Sequence, residues 1–183
     1  VEKDGKICIL YRAEDDPKAG IGGRTSRIGY AESADGIHLD YRQATPVFYP
    51  DGSDISRTYE WKGGCEDPRV VAANVKGKTL YVMTYTAWNN RTPRLAIATS
   101  TDLQHWTKHG PALLNAYNGK FKDLACKSGS IVTEVVNGKQ VAAKVKVNGK
   151  KKYLMYWGEQ WVCAATSDDL VNWTPYVDEN QNL

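Results

Sequence analysis

The string richest in chemistry in the 183-residue sequence is Gly63-Gly-Cys-Glu-Asp-Pro-Arg-Val-Val71, which runs from a glycine turn into an apolar strand. Alternate side chains of an extended chain share a face, so Asp67 and Arg69 are expected to project together while Glu66 points the other way. Pro68 has no N–H to give to a ladder, which places the string at a sheet edge or a bulge. An aspartate beside an arginine has two readings: polar groups presented to a substrate, or a structural ion pair in which Arg69 holds Asp67 ionised. Nucleophile and metal chemistry find little support. His38, His105 and His109 lie in or beside turns, and no Ser-His-Asp or ligand spacing connects them. Cys8, Cys65, Cys126 and Cys163 are far apart with no CxxC pair, so buried free thiols are expected, with a disulfide left open.

The elements that must carry these residues follow from a repeat. Ile28-Gly-Tyr-Ala-Glu-Ser-Ala-Asp-Gly36, Leu95-Ala-Ile-Ala-Thr-Ser-Thr-Asp-Leu103 and Val162-Cys-Ala-Ala-Thr-Ser-Asp-Asp-Leu170 match, with their serines at 33, 100 and 167 and so 67 residues apart. The second and third copies continue to a tryptophan in the same slot, Trp106 and Trp173. Each copy follows an aromatic, β-branched stretch of strand length: Ile7 to Arg12, Leu80 to Thr86 and Tyr153 to Trp157. Asp51-Gly52, Gly63-Gly64, Asn137-Gly138 and Asn148-Gly149 supply turns, and no long amphipathic helix pattern intervenes. Several antiparallel strands repeating with this period read as the blades of a β-propeller, with equivalent turns near 33–39, 100–106 and 167–173. Residues that recur between copies, Asp35, Asp102 and Asp169 in all three and Trp106 and Trp173 in two, are assigned to structure. Chemistry is expected where a copy breaks the pattern, as at Asp67, whose strand in a propeller lines the central channel.

The strings Leu10-Tyr-Arg-Ala13, Ser26-Arg-Ile28, Gly64-Cys-Glu-Asp-Pro-Arg-Val70, Tyr85-Thr-Ala87 and Ala98-Thr-Ser-x-Asp-Leu103 also carry a resemblance. They look like those of glycoside hydrolase family 130, five-bladed β-propellers that cleave β-mannosides by phosphorolysis or by hydrolysis. The resemblance implies that Asp67 is the catalytic acid. In phosphorolytic members it implies basic residues around phosphate, one of them an arginine on the next inner strand. Here the matching string is Cys126-Lys-Ser-Gly-Ser-Ile-Val132, which offers Lys127 and Ser128 but not the planar fork of an arginine. For hydrolytic members it implies a glutamate deeper in the chain. Glu159, in Tyr156-Trp-Gly-Glu-Gln-Trp161, breaks the repeat and is the candidate, its plainer reading being a solvated loop carboxylate. Such a pair would protonate the leaving oxygen and activate water, standing about 6.5–9.5 Å apart if the enzyme inverts. By the same resemblance Arg12, Arg27 and Arg69 are expected to bind sugar or phosphate, and Tyr85 to join them. Trp61, Trp88 and Trp161 lie outside the repeated slot and could offer ring faces to a sugar or be ordinary core residues.

The expectation is therefore an inverting β-mannoside hydrolase acting on β-1,2-linked manno-oligosaccharides. The alternatives are a phosphorylase releasing mannose 1-phosphate and a carbohydrate-binding propeller without catalysis. No cofactor is implied beyond inorganic phosphate as co-substrate of a phosphorylase. A formal net charge of +3, from 24 Lys+Arg against 21 Asp+Glu, is too small to imply a nucleic-acid partner. The basic stretch Lys139 to Lys152 reads as an exposed hairpin around Asn148-Gly149. No apolar run reaches the roughly 20 residues of a membrane span. A homo-oligomer is left open, and a periplasmic location is slightly favoured over the cytoplasm. At 67 residues per unit the chain holds about 2.7 units, whereas five would take about 335 residues. It is thus expected to be a partial sector of about three blades, poorly soluble and inactive alone because its sheet edges lie uncovered.

Overall fold

The computed structural model describes residues 1–16, 18 and 24–183. All long elements are strands. A first antiparallel group holds β1 (Glu2–Lys3), β2 (Lys6–Glu14), β3 (Ser26–Ser33) and β4 (Tyr41–Arg42), paired in that order. A second holds β5 (Gly64–Val75), β6 (Lys78–Trp88), β7 (Pro93–Ser100) and β8 (Thr107–Pro111), also sequential. After β9 (Ser130–Ile131) come the hairpin of β10 (Thr133–Val136) and β11 (Lys139–Ala142), then β12 (Lys144–Val147), β13 (Lys150–Trp157), β14 (Cys163–Ser167) and β15 (Thr174–Pro175). The third group runs β12-β13-β14-β15, with β9 also on β13. Helical structure among the described residues amounts to a π turn at Ser56–Glu60 and a 3₁₀ turn at Ala116–Gly119.

The three expected aromatic strands lie within β2, β6 and β13. Four hairpins close through two-residue turns with positive φ at both positions: Asp4-Gly5, Lys76-Gly77, Asn137-Gly138 and Asn148-Gly149. That conformation matches the right-handed twist of the flanking strands, which is why short polar pairs ending in glycine occupy it. The Lys144 to Lys152 hairpin is exposed as expected, with Lys146 opposite Lys151.

The repeated turn is structural in all three copies. The Ser33, Ser100 and Ser167 hydroxyls each accept the N–H of the residue three ahead at 2.8 Å. Oδ1 of Asp35, Asp102 and Asp169 accepts two backbone N–H groups at 2.7–2.9 Å. Trp106 and Trp173 donate their indole N–H to the carbonyls of Leu103 and Leu170. The residue three after the serine lies in the left-handed region each time, as Gly36, Leu103 and Leu170. A leucine there costs about 1–2 kcal/mol, offset by the complete burial of both leucines.

Groups one and two meet at one parallel bridge, Ser26 with Gly64. Gly64 has φ +110, and a Cβ on it would stand 2.2 Å from the Ser26 carbonyl oxygen, so glycine is what lets β5 start against β3. Between groups two and three lies a core containing Leu95, Ile97, Met155, Trp157, Leu170 and Trp173. A second core gathers Ile28, Phe48, Cys65, Met83 and Tyr85 on the side of group one. β6 and β7 are buried on both faces between these cores, which explains the nearly unbroken apolar reading of Tyr81 to Ala87 and Leu95 to Ala98. All four cysteines are free thiols.

Candidate active site

The site is built at the start of β5. Pairing of β5 with β6 slips between Glu66 and Arg69: Glu66 faces Thr86 and Arg69 faces Thr84. Asp67 and Pro68 therefore share one partner residue, and Asp67 takes φ +50. This is a β-bulge, the outcome expected from Pro68, and it breaks the alternation on which the facing of Asp67 and Arg69 was predicted.

The bulge turns Glu66 and Asp67 toward the same guanidinium. Arg12, on β2, donates from Nη2 to Glu66 Oε1 at 2.9 Å and to Glu14 Oε1 at 2.7 Å, and from Nη1 to Asp67 Oδ1 at 3.4 Å. Its Nε donates to the Ser26 hydroxyl at 3.1 Å, and that hydroxyl in turn donates to Glu66 at 3.1 Å. In the β2/β3 ladder Arg12 stands opposite Ile28 and Glu14 opposite Ser26, so Arg12, Glu14 and Ser26 share a face. Burial pushes the Glu66 carboxyl above the ordinary carboxylate range; Arg12 and Ser26 oppose this, and Asp67 and Glu14 add to it. Asp67 is the more exposed acid, at 44% of its side-chain surface against 17% for Glu66. An open carboxyl and a half-buried one therefore share one guanidinium.

A second pair lies on the third group. Lys127 Nζ is 2.8 Å from Glu159 Oε1, and the Gly158 N–H donates to the Lys127 carbonyl at 3.0 Å, tying the two segments together. The Glu159 carboxylate raises the Lys127 ammonium above its ordinary value, and Asp67 and Glu66 act on it in the same direction. Ser128 follows with φ +63, and Gly129 is held to β6 by the Thr84 hydroxyl, which donates to its carbonyl at 2.7 Å. Trp161, two residues after Glu159, is 79% exposed; Trp61 is also exposed, while Trp88 is only partly so.

Three expectations need correction. Asp67 pairs with Arg12 and not Arg69, whose guanidinium instead reaches the Gly129 carbonyl at 3.5 Å, because the bulge separates the two side chains. Arg27 stands opposite Ala13, on the other face of the β2/β3 ladder from Arg12, where it meets Asp15 at 3.3 Å and donates to the Thr25 carbonyl. Tyr85 is buried at 1% exposure, and its hydroxyl donates to Glu60 Oε1 at 2.9 Å, so it lies beneath the site and not in it. Conversely, Glu66, Glu14 and Ser26 belong to the cluster and were not singled out. The signal available for Glu66 was Pro68 itself, since a bulge reverses the facing of the residues before it.

Among the described residues no group of three His, Cys, Asp or Glu is arranged to hold a metal ion, and no helix is long and apolar enough to cross a membrane. A cavity of 1290 Å³ opens between β5, β11 and β13; of the expected site residues only Arg69 lines it.

Known proteins resemble this chain closely. A sequence profile of glycoside hydrolase family 130, described as β-1,4-mannooligosaccharide phosphorylase, matches residues 1–181. A 1,2-β-oligomannan phosphorylase from Thermoanaerobacter sp. (strain X514) is 33% identical over 174 residues, which are 93% of this chain and 48% of the relative. A solved glycosyl hydrolase from Bacteroides ovatus is 58% identical with a TM-score of 0.88, over all of this chain and 48% of its own. A further structure is 63% identical with a TM-score of 0.88, again over all of this chain and 48% of its own. It comes from work on family-130 mannoside phosphorylases and the glycoside hydrolases among them that target β-1,2 mannosidic linkages in Candida mannan. This chain thus spans about half the length of the relatives it matches.

Proposed function

Because the chain belongs to glycoside hydrolase family 130, we propose that the Asp67 cluster and the Lys127–Glu159 pair form part of the active site of an enzyme that hydrolyses β-1,2-linked mannosides with inversion. In this reading Asp67 delivers a proton toward the glycosidic oxygen, and Arg12 fixes its position. Glu159 accepts the proton of the attacking water, and Lys127 holds its carboxylate in place at 2.8 Å. Arg69, Ser128 and the exposed ring of Trp161 bind sugar. The three antiparallel groups are about three blades of a five-bladed propeller, with β5 innermost in its blade. The 67-residue repeat and the roughly half-length match to family relatives support that architecture.

One observation carries hydrolysis over phosphorolysis. Two of the cations expected around phosphate already have carboxylate partners, Arg12 in Glu14 and Glu66, and Lys127 in Glu159. A phosphate dianion approaching them meets the Glu14, Glu66 and Glu159 carboxylates, whereas neutral water meets no such repulsion. Phosphorolysis remains the second reading, favoured by the exposed Arg69 guanidinium, a cation without a carboxylate partner among the described residues.

The test is substitution in the full-length protein. Asp67→Asn and Glu159→Gln should each lower turnover of β-1,2-mannobiose by about 10²–10⁴-fold while calorimetric binding of the disaccharide persists. Turnover unchanged in Asp67→Asn would make the cluster a binding site without catalysis.

A further inference from the structure

Directly beneath the Asp67 bulge lies a buried polar stack that the reaction above leaves unused. Tyr85 is the single β6 residue opposite the two bulged residues, since Glu66 takes Thr86 and Arg69 takes Thr84. Its hydroxyl donates to Glu60 Oε1, and Glu60, with no exposed surface, accepts at Oε2 from the Ser56 hydroxyl at 2.8 Å and from the Lys108 ammonium. Lys108 also donates to the Tyr49 carbonyl at 2.7 Å and stands 4.6 Å from the centre of the Phe48 ring, which meets the Tyr85 ring edge-on at 4.8 Å. Every member is satisfied, so the stack has one arrangement and is stiff. Burial drives the Tyr85 hydroxyl well above its ordinary value, and Glu60 adds to this, so it remains a donor at any physiological pH.

We infer that Tyr85 and Glu60 are positioning residues for Asp67. The inference rests on the reading of Asp67 as the proton donor. Bulged residues lack the regular ladder bonds that would fix them, so the direction of Asp67 depends on the strand behind it. That strand is pinned at Tyr85, through Glu60, to the π turn and to Lys108 on β8. A misplacement of about 1 Å at a reacting group costs up to about 10²-fold in rate, so loosening this anchor should appear in turnover before it appears in binding.

The experiment compares Tyr85→Phe and Glu60→Gln in the full-length protein with Tyr30→Phe and Asp67→Asn. Tyr30 is equally buried, donates its hydroxyl to Glu32, and lies away from the bulge on β3, so Tyr30→Phe controls for loss of a buried hydroxyl alone. Tyr85→Phe should lower kcat on β-1,2-mannobiose roughly tenfold with KM within about twofold, measured well below the melting temperature, while Tyr30→Phe leaves kcat unchanged. If Tyr85→Phe does not fold, Glu60→Gln, which keeps an acceptor for the tyrosine but removes the charge that anchors the stack to Lys108, should lower kcat in the same direction and is read against the same control. Normal kcat in Tyr85→Phe beside a dead Asp67→Asn overturns the positioning role and spares the catalytic one. Equal losses in Tyr85→Phe and Tyr30→Phe overturn it as general destabilisation. Full activity in Asp67→Asn overturns both.

Discussion

Arg12 holds Asp67 across two strand groups: its guanidinium, carried by β2, lies 3.4 Å from the Asp67 carboxylate at the start of β5 while also bonding Glu66 and Glu14. One planar fork thus serves three carboxyl groups, a task a lysine cannot perform because its single ammonium has no fixed divergent donors. Replacing Arg12 by Lys should therefore retain the charge but release at least one carboxylate. Charge-assisted hydrogen bonds contribute about 1.5–3 kcal/mol each, so kcat/KM in Arg12→Lys is expected to fall roughly tenfold to hundredfold. Steady-state kinetics on β-1,2-mannobiose provide the check, and activity within twofold of the parent contradicts the assignment.

The repeated turns give a prediction about stability. Ser100→Ala removes the acceptor for the N–H groups of Asp102 and Leu103 and should destabilise by about 1–2 kcal/mol. Leu103→Gly relieves a left-handed backbone costing about 1–2 kcal/mol but deletes a completely buried leucine worth about 2–5 kcal/mol. The net change should be neutral to destabilising, by about 0–4 kcal/mol. Thermal unfolding of the two variants measures this. A stabilised Leu103→Gly would mean that backbone strain outweighs burial at this turn.

Acid should loosen the same turns. The Asp35 carboxyl is lowered first by the His38 ring and then by the backbone N–H groups of His38 and Ile37. Asp102 and Asp169 are lowered by their turn hydrogen bonds against opposing burial. A group whose folded pKa lies below its unfolded value contributes stability that is present above the unfolded value and lost as pH falls through the folded one. With an unfolded value of 3.8, the melting temperature should hold down to about pH 5 and fall below about pH 4. Asp35→Asn and Asp102→Asn should flatten that fall. An acid limb of unchanged steepness in both variants counts against this account.

The strands and turns were legible because they repeat. Ile7 to Arg12, Leu80 to Thr86 and Tyr153 to Trp157 carry the β-branched and aromatic residues that suit a pleated surface, and their serine turns recur at a constant spacing. The site was legible only in part, since it lies where regularity stops. Alternation along Glu66 to Arg69 paired the wrong charges, because one inserted residue at the bulge exchanges the two faces. Arg12 and Arg27 look alike in the sequence, yet the ladder register sets them on opposite faces. Tyr85 sits in a string that reads like a site, but its strand is buried on both sides, so its hydroxyl reaches inward to Glu60. The link from Lys127 to Glu159 joins residues 32 positions apart and could not be inferred from local pattern.

In the proposed hydrolysis, carboxylates already occupy Arg12 and Lys127, and water and not phosphate attacks the mannoside. The most direct measurement is proton NMR of the products of β-1,2-mannobiose and the full-length protein, recorded with and without inorganic phosphate. Mannose released at the same rate in both samples, and as the α-anomer before mutarotation, is the predicted result. Mannose 1-phosphate formed only when phosphate is present would contradict it.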